Sequence, residues 1–215
     1  LVCNLGAIGD TDAMEAAGKE ANRRGIPVIF DPVAAGGTSL RRAEAARLMR
    51  AVHFSVIRGN ASEIRFLAGE QSSGSGVDAG MFDEITEENL SAAIGIVKGL
   101  AEKTGSVIAV SGRLDLISDS RRTAVLRNGS PVMARITGSG CMLTALTGAF
   151  CGACQKDCFT AAFAASAVMG VCGELADAKR LERGTGNASF RNDLIDAVFT
   201  LTEKQFREEI NYEIF

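Results

Sequence analysis

Histidine is almost missing from this sequence of 215 residues, in which His53 is the only one. His53 follows an alanine-rich helical segment and opens an apolar strand, and we interpret it as structural. This interpretation excludes catalytic triads that use histidine as the base and zinc sites that need histidine ligands.

An excess of basic residues is also lacking. Lysine and arginine total 23 against 26 acidic residues, which gives a formal net charge of -3 at pH 7. Nucleic acid is therefore excluded as the main partner, because binding its phosphates needs a basic face. No apolar run approaches the roughly 20 residues that cross a bilayer, so we expect no membrane partner either.

The cysteines do not form the pattern of a disulfide framework. They lie mostly in apolar, alanine-rich surroundings, which favours reduced thiols and a cytoplasmic protein. A chain that is 47% hydrophobic can bury one substantial core, so we expect a single domain over residues 1–215. The six cysteines are Cys3, Cys141, Cys151, Cys154, Cys158 and Cys172.

Strand-like and helical segments alternate in the first half of the chain. The segments LVCNLGAIG, IPVIFDPV, HFSVIRGN and SVIAVSG read as buried strands separated by helices. This alternation predicts a layered α/β fold with a mostly parallel sheet. After residue 113 we expect antiparallel strands at LDLISDS, RRTAVLRNG and PVMARITG, with Asn128-Gly129 as a hairpin turn. From Ser139 onward the sequence reads as helical.

Polar residues follow the predicted strands at their carboxyl ends. In open α/β sheets, ligands bind beyond these ends, so we expect the segments to meet at one edge although they are far apart in sequence. The segments are Asp31, residues 58–63, Ser111-Gly112 and residues 137–141.

Two carboxylates at this edge are candidates for a cation site. Asp31 precedes Pro32 and binds a cation, directly or through water, or else caps the next loop. Asn60 and Glu63 lie three residues apart on one face of a helix start, a spacing that also fits a reciprocal capping box. Magnesium usually binds one or two carboxylates together with nucleotide phosphates, and Asp31 with Glu63 can supply them.

Two further groups at this edge are suited to phosphate. Arg58 beside a glycine is a candidate phosphate clamp, and a surface salt bridge is the equally good alternative. Ser111 and Gly112 offer backbone N–H groups to a phosphate, or else form only a turn.

The segment TGSGCMLTALTGAF carries the most informative pattern. Gly138, Ser139 and Gly140 at a helix start form an anion-binding site of successive N–H groups. The segment is not a Walker loop, and as a dinucleotide fingerprint it lacks the third glycine, so a phosphoryl group fits better. Cys141 can receive or polarise a hydroxyl proton there, while the alternative is a small buried thiol that packs the turn.

A second cysteine pattern occurs in CGACQKDC. Cys151, Cys154 and Cys158 are spaced as one stripe of a helix, which resembles a CxxC redox motif or part of an iron–sulfur set. No fourth ligand has suitable spacing and the stripe continues an apolar helix, so core packing is the favoured interpretation.

Taken together, these motifs resemble those of hydroxyethylthiazole kinases, thiamine-salvage enzymes of the ribokinase-like superfamily. The resemblance runs from Leu1 nearly to the C-terminus and rests above all on the last of the following segments. They are FDPVAAGGT, IRGNASEI, GVDAG, VIAVSG, LRNG and ITGSGCMLTALTGAF.

The resemblance implies a magnesium-dependent transfer of the ATP γ-phosphate to the hydroxyl of 4-methyl-5-(2-hydroxyethyl)thiazole. It also implies a homotrimer, and a further strand and helix before Leu1. Cys141 takes the position where many superfamily kinases carry an aspartate base, and would act there without becoming a covalent nucleophile. The other implied roles are ATP contacts for Arg58 and Ser111, a thiazole contact for Gly138, an anion hole at Ser139 and Gly140, and magnesium at Asp31 and Glu63 with Asn60 in support.

Alternative functions remain open at this point. Other ribokinase-like enzymes, such as a hydroxymethylpyrimidine kinase or a nicotinamide-nucleotide-hydrate dehydratase, usually have aspartate where Cys141 stands. A redox or iron–sulfur module and a non-catalytic remnant that only binds ligand belong to different classes.

Overall fold

A seven-stranded sheet crosses the molecule, and its strands lie in the same order as they occur along the chain. The computed structural model describes residues 1–69 and 84–215, so the GVDAG segment of the resemblance lies outside the described residues. The strands are β1 (Val2–Asn4), β2 (Ile29–Asp31), β3 (Val56–Asn60), β4 (Val107–Ser111), β5 (Asp115–Ser118), β6 (Thr123–Leu126) and β7 (Tyr212–Ile214).

The first four strands are parallel, as the continuous apolar runs predict. Their register pairs Asn4 with Asp31 and Asn60 with Ser111, so the carboxyl ends of these strands form one edge. One core cluster packs between one face of the sheet and four helices. They are α1 (Thr11–Arg23), α2 (Ser39–Ala51), α3 (Ala61–Ala68) and α4 (Leu90–Thr104).

Helices from the C-terminal third cover the opposite face and complete a layered α/β fold. Among them, α6 is long and apolar enough to cross a bilayer by length and composition, but 61% of its apolar window is buried inside the protein. It contacts α5, α7 and strands of the sheet, as a core helix does. The helices are α5 (Ser139–Ala153), α6 (Cys158–Arg183), α7 (Asn187–Thr200) and α8 (Glu203–Glu209).

The antiparallel extension is confirmed at β5 and β6, but the predicted strand PVMARITG is wrong. Pro131–Arg135 form a 3-10 helix, because proline has no N–H for a strand ladder and Ser130 caps the turn by accepting from the Val132 N–H. The predicted hairpin at Asn128-Gly129 is also wrong. The Asn128 side chain is buried and donates to Glu174 and to the Glu209 carbonyl.

Two predictions about the C-terminal third need correction. The segment after Ser139 is not wholly helical, since Tyr212–Ile214 pair with β6 as an antiparallel edge strand. Cys151, Cys154 and Cys158 do not share one helix either. Helix α5 ends at Ala153 and α6 begins at Cys158, because the polar segment QKD separates the two apolar runs and Asp157 caps α6.

Candidate active site

Asp31 ends β2 as a buried carboxylate, with 2% of its surface exposed. Its Oδ2 atom accepts hydrogen bonds from Asn4 Nδ2 at 3.0 Å and from Thr144 Oγ1 at 2.7 Å. Burial raises the pKa of Asp31, and the Thr144 hydrogen bond and the charge of Arg58 oppose that effect. Its Oδ1 atom receives no hydrogen bond from the residues that the structure describes.

Glu63 is half-buried at the start of α3, and both of its carboxylate oxygens are engaged. Asn60 and Glu63 form the reciprocal capping box, in which Oε2 accepts from the Asn60 N–H at 2.9 Å. Oε1 accepts from the Ala34 N–H at 2.8 Å. Ala34 has φ +52, a left-handed conformation that is strained for alanine, so Glu63 helps to hold the loop that follows Asp31.

Arg58 is buried within β3, which rules out the surface salt bridge considered for it. Its Nη2 atom donates to the Ser111 hydroxyl, and its buried Nε–H has no acceptor among the described residues. A Cβ added at Gly140 would lie 2.9 Å from Arg58 Nη1, so only glycine lets α5 approach the guanidinium this closely. No described carboxylate lies within ion-pair distance of Arg58, which leaves its charge available to an anionic ligand.

The turn after β4 differs from the sequence expectation in one respect. The Gly112 N–H donates to Asp115 Oδ1 at 2.9 Å, so this N–H is already satisfied. Burial raises the pKa of Asp115 to about 6. The Ser111 hydroxyl is a different group from the backbone N–H groups predicted for this turn. Its hydrogen remains available as a donor, since its oxygen accepts from Arg58.

The N-terminus of α5 has the open geometry that its sequence predicts. Gly138 is the N-cap with φ +94, and no side chain caps the helix. The first intrahelical bond runs from the Met142 N–H to the Gly138 carbonyl, so the N–H groups of Ser139, Gly140 and Cys141 have no intrahelical acceptor. Together with the helix dipole, these donors favour an anion at this point.

A cavity of about 1020 Å³ adjoins these groups. Arg58, Ser111, Ser139 and Gly140 line it. Asp31, Glu63 and Cys141 do not line it, but Asn60, Ser139 and Gly140, which lie near them in sequence, do. The cavity is large enough for a ligand of nucleotide size.

The predicted convergence is confirmed by contacts between residues that are far apart in sequence. Cys141 is exposed, and its Sγ lies 3.7 Å from Asn4 Nδ2, which also donates to Asp31. Sequence reasoning missed Asn4 and Thr144. Asn4 ends β1 in register with Asp31, and Thr144 follows Cys141 at helical spacing, so position relative to recognised residues was the available signal.

The second cysteine group lies away from this edge. Cys151 is buried and Cys158 is half-buried in the core between the sheet and α6. A contact with Cys151 lowers the pKa of the Cys158 thiol to about 7. Among residues 1–69 and 84–215, no three histidine, cysteine or acidic side chains are grouped to hold a metal ion, so the iron–sulfur interpretation has no support here.

Comparison with known proteins identifies the family of this chain. The sequence matches the model of the hydroxyethylthiazole kinase family over residues 1–204. It is 42% identical over 214 residues to hydroxyethylthiazole kinase of Clostridium acetobutylicum, covering 99% of this chain and 78% of that relative. It is also 42% identical over 213 residues to the enzyme of that name from Methanocella arvoryzae, covering 98% of this chain and 75% of that relative.

Solved structures give the same result. The hydroxyethylthiazole kinase protein from Pyrococcus horikoshii superposes with a TM-score of 0.82 and 29% identity, covering all of this chain and 76% of that one. Pyridoxal kinase from Staphylococcus aureus in complex with AMP-PCP and pyridoxal superposes over the whole chain and 72% of its own, with a TM-score of 0.57 and 16% identity, a likeness of fold alone. The ribokinase-like fold and the resemblance read from the motifs are confirmed, and the chain belongs to the hydroxyethylthiazole kinase family.

Proposed function

We propose that this chain transfers the γ-phosphoryl group of ATP to the hydroxyl of 4-methyl-5-(2-hydroxyethyl)thiazole. Family membership supports a kinase with this acceptor. The observation that carries the proposal is the approach of the α5 N-terminus to Arg58. It sets the N–H groups of Ser139 and Gly140 beside one cavity, together with a cation that has no ion-pair partner among the described residues. Phosphoryl transfer depends mainly on such positioning and charge neutralisation.

The nucleotide occupies the cavity in this proposal. Arg58 and the Ser111 hydroxyl bind its phosphate oxygens, and the N–H groups of Ser139 and Gly140 meet the charge that develops on the transferred group. Preorganised donors of this kind need no rearrangement during the reaction. The matches do not favour the other ribokinase-like enzymes, which usually carry aspartate in place of Cys141.

The acceptor alcohol lies beside the α5 N-terminus, within reach of the γ-phosphorus. Gly138 contacts the thiazole, and Cys141 Sγ accepts or polarises the hydroxyl proton as the oxygen attacks the phosphorus. Cys141 is exposed at this point, so a substrate can reach it. A weak base suffices, because the transition state is loose and little proton transfer is needed early.

The two carboxylates fit magnesium held partly through water. Asp31 Oδ1 is free of hydrogen bonds from the described residues, and each oxygen of Glu63 accepts only one N–H. Magnesium prefers such oxygen ligands, with waters and substrate phosphates completing its shell. When bound there, it neutralises charge on the phosphates; Asn60 supports the site by fixing Glu63 through the capping box.

The test is release of ADP by purified protein supplied with ATP, magnesium and the thiazole alcohol. We expect ADP release that depends on the thiazole and is at least tenfold slower with hydroxymethylpyrimidine or pyridoxal in its place. Equal rates without the thiazole, or a faster reaction with either competitor, would contradict the proposal.

We further propose a homotrimer in the cytoplasm. Exposed apolar side chains at the β7 edge of the sheet support association with further subunits. Six free thiols support a reducing compartment. Sedimentation equilibrium tests the first point, with a mass three times that of the chain as the expected result. The exposed side chains are Tyr212, Ile214 and Phe215.

A further inference from the structure

We propose that Asn4 and Thr144 are positioning residues that hold Asp31 and Cys141 as one rigid unit, an inference that rests on the proposed function. Neither residue lines the nucleotide cavity, and each acts through a neighbour. Their hydrogen bonds connect β1, β2 and α5, so they fix two proposed catalytic groups relative to each other.

Thr144 attaches the carboxylate to α5. Its hydroxyl lies 2.7 Å from Asp31 Oδ2 and 3.1 Å from the Gly140 carbonyl, and it has one hydrogen to donate. The shorter contact is to a charged acceptor, so the hydrogen goes to Asp31. Thr144 is 1% exposed and stands one helical turn after Cys141, so this bond sets the spacing between the carboxylate and the thiol.

Asn4 bridges both groups. Its Oδ1 accepts from the Gly6 N–H at 2.8 Å, and since an N–H can only donate, this contact fixes the orientation of the amide. The two hydrogens on Nδ2 then point to Asp31 Oδ2 at 3.0 Å and to Cys141 Sγ at 3.7 Å. Both positioning residues use the same carboxylate oxygen.

The two carboxylate oxygens of Asp31 therefore have different roles. Oδ2 is committed to Asn4 and Thr144, and Oδ1 stays free for the cation. Partners that orient a metal ligand in this way typically change metal affinity or activity by about 10- to 100-fold when they are removed.

Thr144→Val removes the hydroxyl and preserves the shape, and the chain offers a matched control. Thr147 is equally buried on the same helix, but its hydroxyl donates only to the Leu143 carbonyl. We expect Thr144→Val to lower kcat about tenfold or more and to weaken binding of Mn²⁺, measured by electron paramagnetic resonance with AMP-PCP present. Thr144→Ser should restore both, and Thr147→Val should change neither.

Asn4→Ala gives a readout that needs no kinase activity. We expect the rate at which a thiol reagent labels Cys141 to change at least threefold, while the exposed Cys154 keeps its rate as an internal reference. Absence of thiazole-dependent ADP release would overturn the proposed function and leave the labelling result standing. Equal effects of Thr144→Val and Thr147→Val on Mn²⁺ binding, or an unchanged Cys141 rate, would overturn the positioning role.

Discussion

The two ends of helix α5 both carry cysteine, and they differ in almost every other respect. At the glycine end (Gly138–Cys141) the thiol is exposed beside free N–H groups, a buried cation and a buried carboxylate. At the cysteine end (Cys151–Cys158) the first thiol is buried, and contact with Cys158 together with burial raises its pKa. A helix dipole is positive at the first end and negative at the second.

The presence of cysteine therefore does not by itself locate the candidate site. The glycine end meets the carboxyl edge of the parallel strands, where Asp31 and Arg58 come from different βαβ units. The cysteine end packs into the apolar layer between the sheet and α6, and its nearby charges, Arg122 and Asp157, are paired with each other. Location relative to the sheet edge is therefore the reason why Cys141, and not Cys151 or Cys158, is proposed as the catalytic thiol.

The largest expected effect is that of Arg58→Met. We expect kcat/KM for ATP to fall roughly 10²- to 10³-fold, because a preorganised charge is lost from the transition state. Stability should not fall, since Arg58 is buried without an ion-pair partner among the described residues. Steady-state kinetics and urea denaturation measure the two quantities.

Arg122→Met is the matched control from the cysteine end. Arg122 forms ion pairs with Asp119 at 3.2 Å and with Asp157 at 2.8 Å, and it lies over the Phe159 ring. The Arg122→Met variant should be less stable than the parent chain and keep its kcat/KM, which is the reverse of the result expected for Arg58→Met. The same pattern of losses for both variants would mean that the two ends are not functionally distinct.

A smaller loss is expected for Cys141→Ala. Loss of a group that accepts or polarises a proton in the transition state should lower kcat by about 10²-fold and leave KM for ATP nearly unchanged. Cys158→Ala at the other end should keep kcat within about twofold and destabilise the core slightly. If the Cys158 variant lost more activity than the Cys141 variant, the assignment of the catalytic thiol would be wrong.

The sequence predicts the parallel strands and the site better than it predicts the turns. The parallel strands and the meeting of Asp31, Glu63 and Cys141 follow from local patterns and one general rule about strand ends. The 3-10 helix at Pro131 was missed, because an alternating pattern reads as a strand until the missing N–H of proline and the Ser130 cap are weighed together.

The hydrogen-bond partners of the site residues were harder to predict than the site residues themselves. Nothing local to Asn4 or Thr144 indicates a ligand or catalyst, since both residue types occur commonly at strand ends and in helices. Arg58 was placed correctly, but its burial depends on the packing of α5 against β3, which only the three-dimensional structure shows. The roles of the predicted site residues remain proposals that the variants above test.

The next effect in size concerns the glycines near the two ends of α5. Gly140→Ala places a methyl group 2.9 Å from Arg58 Nη1, so the guanidinium must shift and KM for ATP should rise about tenfold. A Cβ at Gly152 meets nothing within 4 Å. Gly152→Ala should keep KM and raise the free energy of unfolding by about 0.5–1 kcal/mol, since alanine is the better helix former. A KM equally raised in both variants would refute the close-approach argument.

The smallest effect is a pair of opposite pH dependences. Burial raises the pKa of Asp115, which lines the cavity, to about 6, whereas the Thr160 hydrogen bond lowers the pKa of Asp157 at the cysteine end. The folded state therefore holds the Asp115 proton more tightly than the unfolded state, and the stability it contributes is lost as pH rises from about 4 to above 6. Asp157 contributes stability with the opposite sign, lost as pH falls through its lowered pKa.

Asparagine at each position removes the titration and tests both signs. Asp115→Asn keeps an acceptor for the Gly112 N–H, so at pH 7 it should stabilise the fold by about 1–2 kcal/mol relative to its effect at pH 4. Asp157→Asn should destabilise the fold at pH 7, and the loss should shrink as the pH is lowered through the acid range. Thermal denaturation of the three proteins at pH values from about 2 to 7 measures these slopes, since the Asp157 titration lies below pH 4. If the stability of Asp115→Asn and that of the parent chain changed in parallel with pH, the cavity would not raise this pKa. The electrostatic contrast between the cavity and the cysteine end would then be weaker than the burial of Asp115 implies.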